Sequence, residues 1–566
     1  MRYLRNSSCI WCAVVVAASF VAKLSLATRE VDAGEKAPEF RNGVVVAVSE
    51  PGAAAGLGIL QQGGNAVDAA IATAFALAVT HPAAGNIGGG GFMVVHPPKG
   101  QPTVIEYRET APAAATKTMF KKGDSPYSHR AVGVPGTVRG MALAHQKLAK
   151  LPWKTLVMPA VELSEKGYIL DKHHAGSLNK MLALAKDFPE FQRVFARPDG
   201  KAWQPGDRHV QRDLAKTLRL IAEDGPDAFY QGKIADLLVT EMKAGHGLIT
   251  KDDLADYQAM QREPIHGTYR GYDVYGAPPP SSGGICLVQM LNFLENFDLK
   301  KNDRFSSQTL HLMTEAMRRS YYDRARYLGD PAFAKIPDHL TAQKHVRALA
   351  KSIDPTKATR SEDLSKEIPL APEGESTTHF SIIDKDGLAV SNTYTLEHGF
   401  GSRIVVKGAG FLLNNEMTDF NWRPGVTTRT GAIGTEPNTI APGKRMLSSQ
   451  TPTIFAKDGK VFLITGSPGG RTIINTVLNV VLNVVDYDMP IQQAIDAPRL
   501  HHQWFPDEVK FEGMKQYAEA VTQLKAMGHR VVAARQGDAH SIWINPKTGG
   551  YVGAADKRLS GKVSGW

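Results

Sequence analysis

"EGESTTHFSIIDKDGLAVSNTYTL", residues 373–396, sets two runs of strand-forming residues about a Lys-Asp-Gly turn, which is the signature of a β-hairpin. Centring the loop on Asp386 pairs Ile382 with Val390, Phe380 with Asn392 and Thr377 with Thr395. Directly opposed side chains lie roughly 5 Å apart, so two threonine hydroxyls are expected in contact. The first strand opens abruptly on Thr377 and Thr378 after a polar, glutamate-rich approach. Taken alone, the pair asks for no more than the liking of β-branched residues for strands.

Upstream, residues 352–376, "SIDPTKATRSEDLSKEIPLAPEGES", are polar and proline-containing and read as an exposed linker. Before it, "VVVAVS" (44–49) reads as a buried strand, and residues 51–80 as two packed helices broken at Gly63-Gly64. "GNIGGGGFMVVHPP" (85–98) is a glycine turn into a strand, and "PTVIEYRE" (102–109) is a strand ending at Arg108. Residues 137–350 are dominated by amphipathic helical stretches. Downstream come strands over 452–466 about "KDGK", a helix from Thr472 to Val485, a helix near 516–528 and a hairpin around "NPKTGG". Strands and helices on both sides of the linker predict one layered α/β body.

The chain has 566 residues, 43% hydrophobic and 22% charged, with ample length for a large core. Its formal charge of +10 is spread thinly, without a basic block dense enough to follow a phosphate backbone, so no nucleic-acid partner is expected. Arg2 and Arg5 precede an apolar run from Cys9 to Ala22, and Ser25-Leu26-Ala27 offers a small-x-small cleavage site. Residues 1–27 therefore read as a secretory signal peptide, with no stable membrane span expected. Removing them leaves Cys286 as the single cysteine; an exported chain without disulfides suits a bacterial periplasm. "GGGG" at 88–91 runs into a strand and lacks the helix that a dinucleotide site needs. The histidines show no metal-ligand spacing, so neither cofactor nor metal is expected.

"TTHFSIIDKDGLAVSNTYTL", "FLLNNEMTDF" (411–420), "PGKRMLSSQTPTI" (442–454) and "TGSPGG" (465–470) resemble the small subunit of a γ-glutamyltransferase. "GGNAVDAAIATAFALAVTHP", "GGGGFMVV", "YRETAP", "GVPGTVRG", "PPPSSGG", "YYDRARYLGDPAF" and "GAADKR" resemble the same family in the same order, across nearly the whole mature chain. The resemblance implies an αββα N-terminal-nucleophile hydrolase sandwich, built jointly by the two subunits of one self-cleaved precursor. The cut would fall between Ser376 and Thr377, giving a large subunit 28–376 and a small subunit 377–566 that stay together as a heterodimer. Thr377 would then begin a strand because it becomes a new N-terminus.

The chemistry follows from residue types. A threonine hydroxyl needs a base, and an α-amine of ordinary pKa near 7.7–8.0 supplies one in the same residue. Thr395, opposite it, would orient it. The resemblance implies a γ-glutamyl ester on Thr377, whose tetrahedral oxyanion needs donors. Gly469 and Gly470, between a strand and a helix start, fit that need. By the same resemblance a γ-glutamyl head would be read by Arg108, Ser448 and Ser449 at its carboxylate, and by Glu416 and Asp419, supported by Asn415, at its ammonium. Arg108 has the planar fork for this. Glu397 stands where many members carry asparagine and reads as a third ammonium contact. Residues 424–436 occupy the place of a lid loop, though their glycines would equally suit a disordered segment.

The expected activity is transfer of the γ-glutamyl group of glutathione and related amides to water or to an amino acid or dipeptide amine. Cephalosporin or glutaryl acylases and poly-γ-glutamate transpeptidases share the architecture. A donor without an α-ammonium would leave Glu397, Glu416 and Asp419 unpaired, a costly arrangement. A secreted binding protein that never matures is the reading outside enzymes, and would not need the threonine and glycine set.

Overall fold

The "VVVA" run forms strand Gly43–Ala47, buried along its whole length. Val44 and Val46 lie in one apolar cluster and Val45 and Ala47 in another, as side chains of period two must when both faces of a sheet are covered. The coordinates are a computed structural model, describing residues 37–364 and 377–566. The signal segment and the 365–376 stretch with Ser376 lie outside the described residues.

A seven-stranded sheet runs in the order Lys562–Gly565, Gly43–Ala47, Thr378–Asp384, Ala389–Thr395, Gly90–His96, Thr103–Glu106, Met260–Arg262. The hairpin has the expected register, with Ile382 opposite Val390 and Phe380 opposite Asn392. A six-stranded sheet runs Tyr551–Ala555, His540–Ile544, Lys460–Thr465, Thr453–Lys457, Tyr272–Gly276, Ile265–Tyr269. Between the sheets, Val44, Val94 and Ile383 meet Ile454, Ile464 and Ile542.

Helices cover both outer faces. Helix Ala66–Thr80 is buried at every position, as expected of a helix apolar all round. It starts with a capping box in which Asn65 and Asp68 exchange hydrogen bonds with each other's backbone amides. Its first amide donates to the Asp384 carboxylate at 2.9 Å, tying this layer to the end of the hairpin. On the far side, helices Gly283–Leu294 and Thr472–Val485 pack on the six-stranded sheet in a second large core. The result is the helix–sheet–sheet–helix order expected, and residues 38–566 pack as one unit.

The stretch 137–350 is dominated by helices, as expected, with strands Met260–Arg262, Ile265–Tyr269 and Tyr272–Gly276 set among them. Arg270 and Gly271 turn the last two with φ of 49° and 81°, a Gly-containing hairpin signal that surrounding helical periodicity masks. One expectation needs correction: residues 352–364 are not exposed throughout. Ser361 is fully buried: its Oγ accepts from Arg318, its amide donates to Asp507 and its carbonyl accepts from the Trp504 indole. Arg318 sits buried in the long helix Ser307–Tyr327, and a buried guanidinium recruits polar partners wherever the chain offers them.

Candidate active site

Thr377 stands one residue before strand Thr378–Asp384 and is 8% exposed. Thr378 opposes Tyr394, so Thr377 comes to Thr395, and both line one small pocket with Arg108, Glu397, Glu416 and Gly470. Asp419, Ser448 and Ser449 line it too. The Thr395 Oγ1 accepts the Glu397 amide at 2.8 Å and its carbonyl accepts the Asn86 side chain at 2.8 Å. A Cβ on Gly89 would stand 2.0 Å from that carbonyl oxygen. The glycine run therefore serves close backbone approach, as the absence of a following helix predicts.

Gly469 and Gly470 adopt φ of 130° and 54°, conformations that cost little only without a Cβ. Their carbonyls accept from the Thr472 and Ile473 amides, closing the start of helix Thr472–Val485. Among the described residues their own amides donate to no partner. Two such N–H groups at a helix start suit a developing oxyanion. Gly470 lines the pocket, and Gly469 does not.

Arg108 is fully buried and bonds Glu416 and Asp419 directly, Glu109 at 3.4 Å and the Met446 carbonyl at 3.2 Å. Burial works against its charge, but Glu416, Glu109, Asp419 and Glu397 together outweigh it and hold the guanidinium above its ordinary value. Burial pushes the Glu416 carboxyl well up, with Arg108 opposing and Glu109 and Asp419 adding repulsion. Glu397, Glu416 and Asp419 bring carboxylate oxygens within 4.8 Å of one another. That arrangement suits a cation, and the neighbouring arginine suits an anion. The pocket thus offers both halves of a zwitterion's complement within a volume of ≈ 20 Å³, room for roughly one water.

Glu397 takes φ of 75°, rare for a side chain of its size and characteristic of functional sites. Asn415 supports that turn rather than the ammonium: it accepts the His398 amide at 3.0 Å and its side chain meets His398 Nδ1 at 2.8 Å. Ser448 and Ser449 are held by the 278–284 loop and by Arg324, whose Nη2 donates to the Ser449 hydroxyl at 3.0 Å. Residues 424–436 are tied down: Gly425 bonds Gly434 at 2.6 Å, and Arg471 donates to the Gly431 carbonyl at 2.6 Å.

Sequence reasoning missed Glu109, Asn86 and Arg471. Glu109 is completely buried and its carboxyl is pushed up to about 7, by burial first, against the pull of Arg108. Its position beside Arg108 in "YRET" was the available signal. His311, Glu315 and His529 also converge within 4.8 Å, which spacing could not show. Their atoms are engaged: His311 and His529 bond at 2.8 Å, and Arg318 and Arg319 both bond Glu315.

The family model for Gamma-glutamyltranspeptidase matches residues 52–566. A glutathione hydrolase proenzyme of Escherichia coli K12 is 46% identical over 529 residues, covering 92% of this chain and 90% of the relative. The crystal structure of cephalosporin acylase from Bacillus halodurans superposes with a TM-score of 0.84 at 27% identity, covering 96% of this chain and 99% of that one. A gamma-glutamyltranspeptidase chain from Pseudomonas nitroreducens, complexed with L-DON, gives 0.52 at 44% identity, covering 55% of this chain and 94% of that one. The lower score accompanies a chain equivalent to just over half of the present one.

Proposed function

Since the chain belongs to the gamma-glutamyltranspeptidase family, we propose that it cuts itself between Ser376 and Thr377 and then moves γ-glutamyl groups through an ester on Thr377. The observation that carries this reading is the convergence of Thr377, Thr395, Gly470, Arg108 and the acidic trio on one pocket. In maturation, Thr377 Oγ bonds to the Ser376 carbonyl carbon, the peptide C–N bond breaks, and water hydrolyses the resulting ester. The products are a large subunit 28–376 and a small subunit 377–566, held together by the shared core.

In turnover, the freed α-amine takes the Thr377 hydroxyl proton as Oγ bonds to the γ-carbonyl carbon of the donor. The amide C–N bond breaks and the leaving amine departs with that proton. Water or an acceptor amine then attacks the ester, the C–Oγ bond breaks, and Oγ recovers a proton. Gly469 and Gly470 donate to both oxyanions. Arg108, with Ser448 and Ser449, holds the donor's α-carboxylate, while Glu416, Asp419 and Glu397 hold its α-ammonium. A glutaryl donor brings no α-ammonium to add to the pairing that Glu416 and Asp419 already make with Arg108, which favours a γ-glutamyl donor despite the fold shared with acylases.

Glutathione and related γ-glutamyl amides are the donors, amino acids or dipeptides the acceptors, and no cofactor takes part. The signal-like N-terminal segment supports export to the periplasm. Among the described residues no helix is long and apolar enough to cross a membrane. The test is incubation of purified protein, N-terminal sequencing, and assay with γ-glutamyl and glutaryl anilides. A fragment starting Thr377-Thr378-His379, in a cleaved protein that hydrolyses only the γ-glutamyl anilide, is expected. An uncut chain, or preference for the glutaryl compound, overturns the reading.

A further inference from the structure

The glycine turn at 469–470 has no internal lock. At φ of 130° and 54°, Gly469 and Gly470 adopt their conformations at little steric cost and, for the same reason, meet no steric restraint in them. The direction of their amides must therefore be fixed from the flanks. Upstream, the Ser467 hydroxyl donates to the Pro468 carbonyl at 2.7 Å and accepts the Asp538 amide at 3.0 Å. Downstream the flank is Arg471, the first residue after the glycines that carries a side chain.

Arg471 is held at both ends. Its carbonyl accepts the hydroxyl of Tyr321, a buried residue of helix Ser307–Tyr327. Its Nη1 donates to the Gly431 carbonyl at 2.6 Å, 40 positions back in the chain. The residue is 8% exposed; it lines the nucleophile pocket with Thr377 and Gly470, and an adjoining pocket of ≈ 10 Å³ with Ile433 and Thr435. It therefore bridges the glycine turn and the 424–436 loop. The acceptor is well fixed there, because the Gly431 amide donates to the Thr428 carbonyl at 3.0 Å and the Thr428 amide to the Ala432 carbonyl at 3.1 Å. Gly431 itself has φ of 112°, and a Cβ on it would stand 3.0 Å from the Phe505 carbonyl oxygen.

We propose that Arg471 is a positioning residue for the acyl-transfer reaction: by bonding Gly431 it fixes the Gly469–Gly470 turn, so that the oxyanion donors are aligned through the seated 424–436 loop. The inference rests on the acyl-transfer reading above. The loop then acts on the chemical step through one charge-assisted hydrogen bond, of the stronger kind, and not through the donor's head group, which Arg108, the two serines and the acidic trio hold. Misaligned amides weaken the transition state alone, because the oxyanion exists only there. The bond should therefore be read in kcat and not in donor KM.

The test uses the self-cleaved enzyme and γ-glutamyl-p-nitroanilide. Arg471→Met, which loses the charge and the donors, should lower kcat by roughly 10–100-fold, the scale on which small displacements of catalytic groups act, with donor KM little changed. Arg471→Lys keeps a charged donor and should fall by less. Gly431→Ala sets a methyl against the Phe505 carbonyl on a left-handed backbone, which shifts the acceptor from the other end of the bond and should lower kcat in the same way. Because both changes remove one interaction, Arg471→Met/Gly431→Ala should be no slower than the slower single variant. Losses that multiply in the double variant, unchanged kcat in Arg471→Met or Gly431→Ala, or a rise in donor KM without a fall in kcat, overturn the proposal. Should Arg471→Met fail to fold or to cut itself, the cycle of Arg471→Lys with Gly431→Ala decides by the same rule. Absence of donor hydrolysis by the cleaved, unaltered enzyme would instead overturn the acyl-transfer reading, and this inference with it.

Discussion

Thr378 and Tyr394 close the registered part of the central hairpin as a directly opposed pair, which delivers Thr377 to Thr395 in the pocket. If Thr377 is nucleophile and base in one residue, Thr377→Ala should leave a single uncut chain and lower turnover by at least ~10³-fold, as loss of other covalent nucleophiles does. Thr395→Ala removes the hydroxyl that accepts the Glu397 amide and that, on the proposed mechanism, orients Thr377. It should slow both self-cleavage and kcat by roughly 10–100-fold, read by mass spectrometry over time and by anilide hydrolysis.

Gly469→Ala places a methyl 2.5 Å from the Thr472 hydroxyl on a backbone at φ of 130°, so the turn must shift and its amides with it. Misplacing an oxyanion donor costs about 10²–10³ in kcat, and donor KM should change far less. A variant with unchanged kcat would remove these amides from the mechanism.

Arg108→Lys keeps the charge and loses the fork. Charge-assisted hydrogen bonds contribute roughly 1.5–3 kcal/mol, so donor KM should rise about tenfold or more for γ-glutamyl anilides. Glu416→Gln should act in the same direction because it weakens the ammonium side. Initial-rate kinetics on the cleaved forms check both.

The Glu109 carboxyl stands at about 7, above its ordinary 4.5, because burial disfavours its charge more than Arg108 restores it. A group raised on folding stabilises the fold fully below its unfolded value, and that contribution is lost as pH rises through the folded value. Glu109→Gln is neutral throughout. Relative to the unaltered protein, its melting temperature should therefore climb as pH goes from about 5 to about 8. A difference that stays flat, or falls, contradicts the buried assignment.

Much of this was readable from residue order. The hairpin register followed from a turn and an alternation of period two, and helix Thr472–Val485 ended where its apolar run ended. Strand Gly43–Ala47 and the helices of 50–80 were legible because continuous apolar runs and glycine breaks are local signals. Ser361 was not, because its burial answers to Arg318 and Trp504, 43 and 143 positions away.

By itself, the sequence determined the strand that follows Thr377, the threonine that Thr377 meets and the glycine turn at 469–470, since each is decided by near neighbours and backbone sterics. Only the tertiary structure decided that Arg108 is wholly buried against Glu416 and Asp419 and that Glu109 joins them uncharged more readily than a free carboxyl. Those are matters of desolvation and of charges meeting across more than 300 positions of chain, and both depend on the packed surroundings rather than on the order of residues.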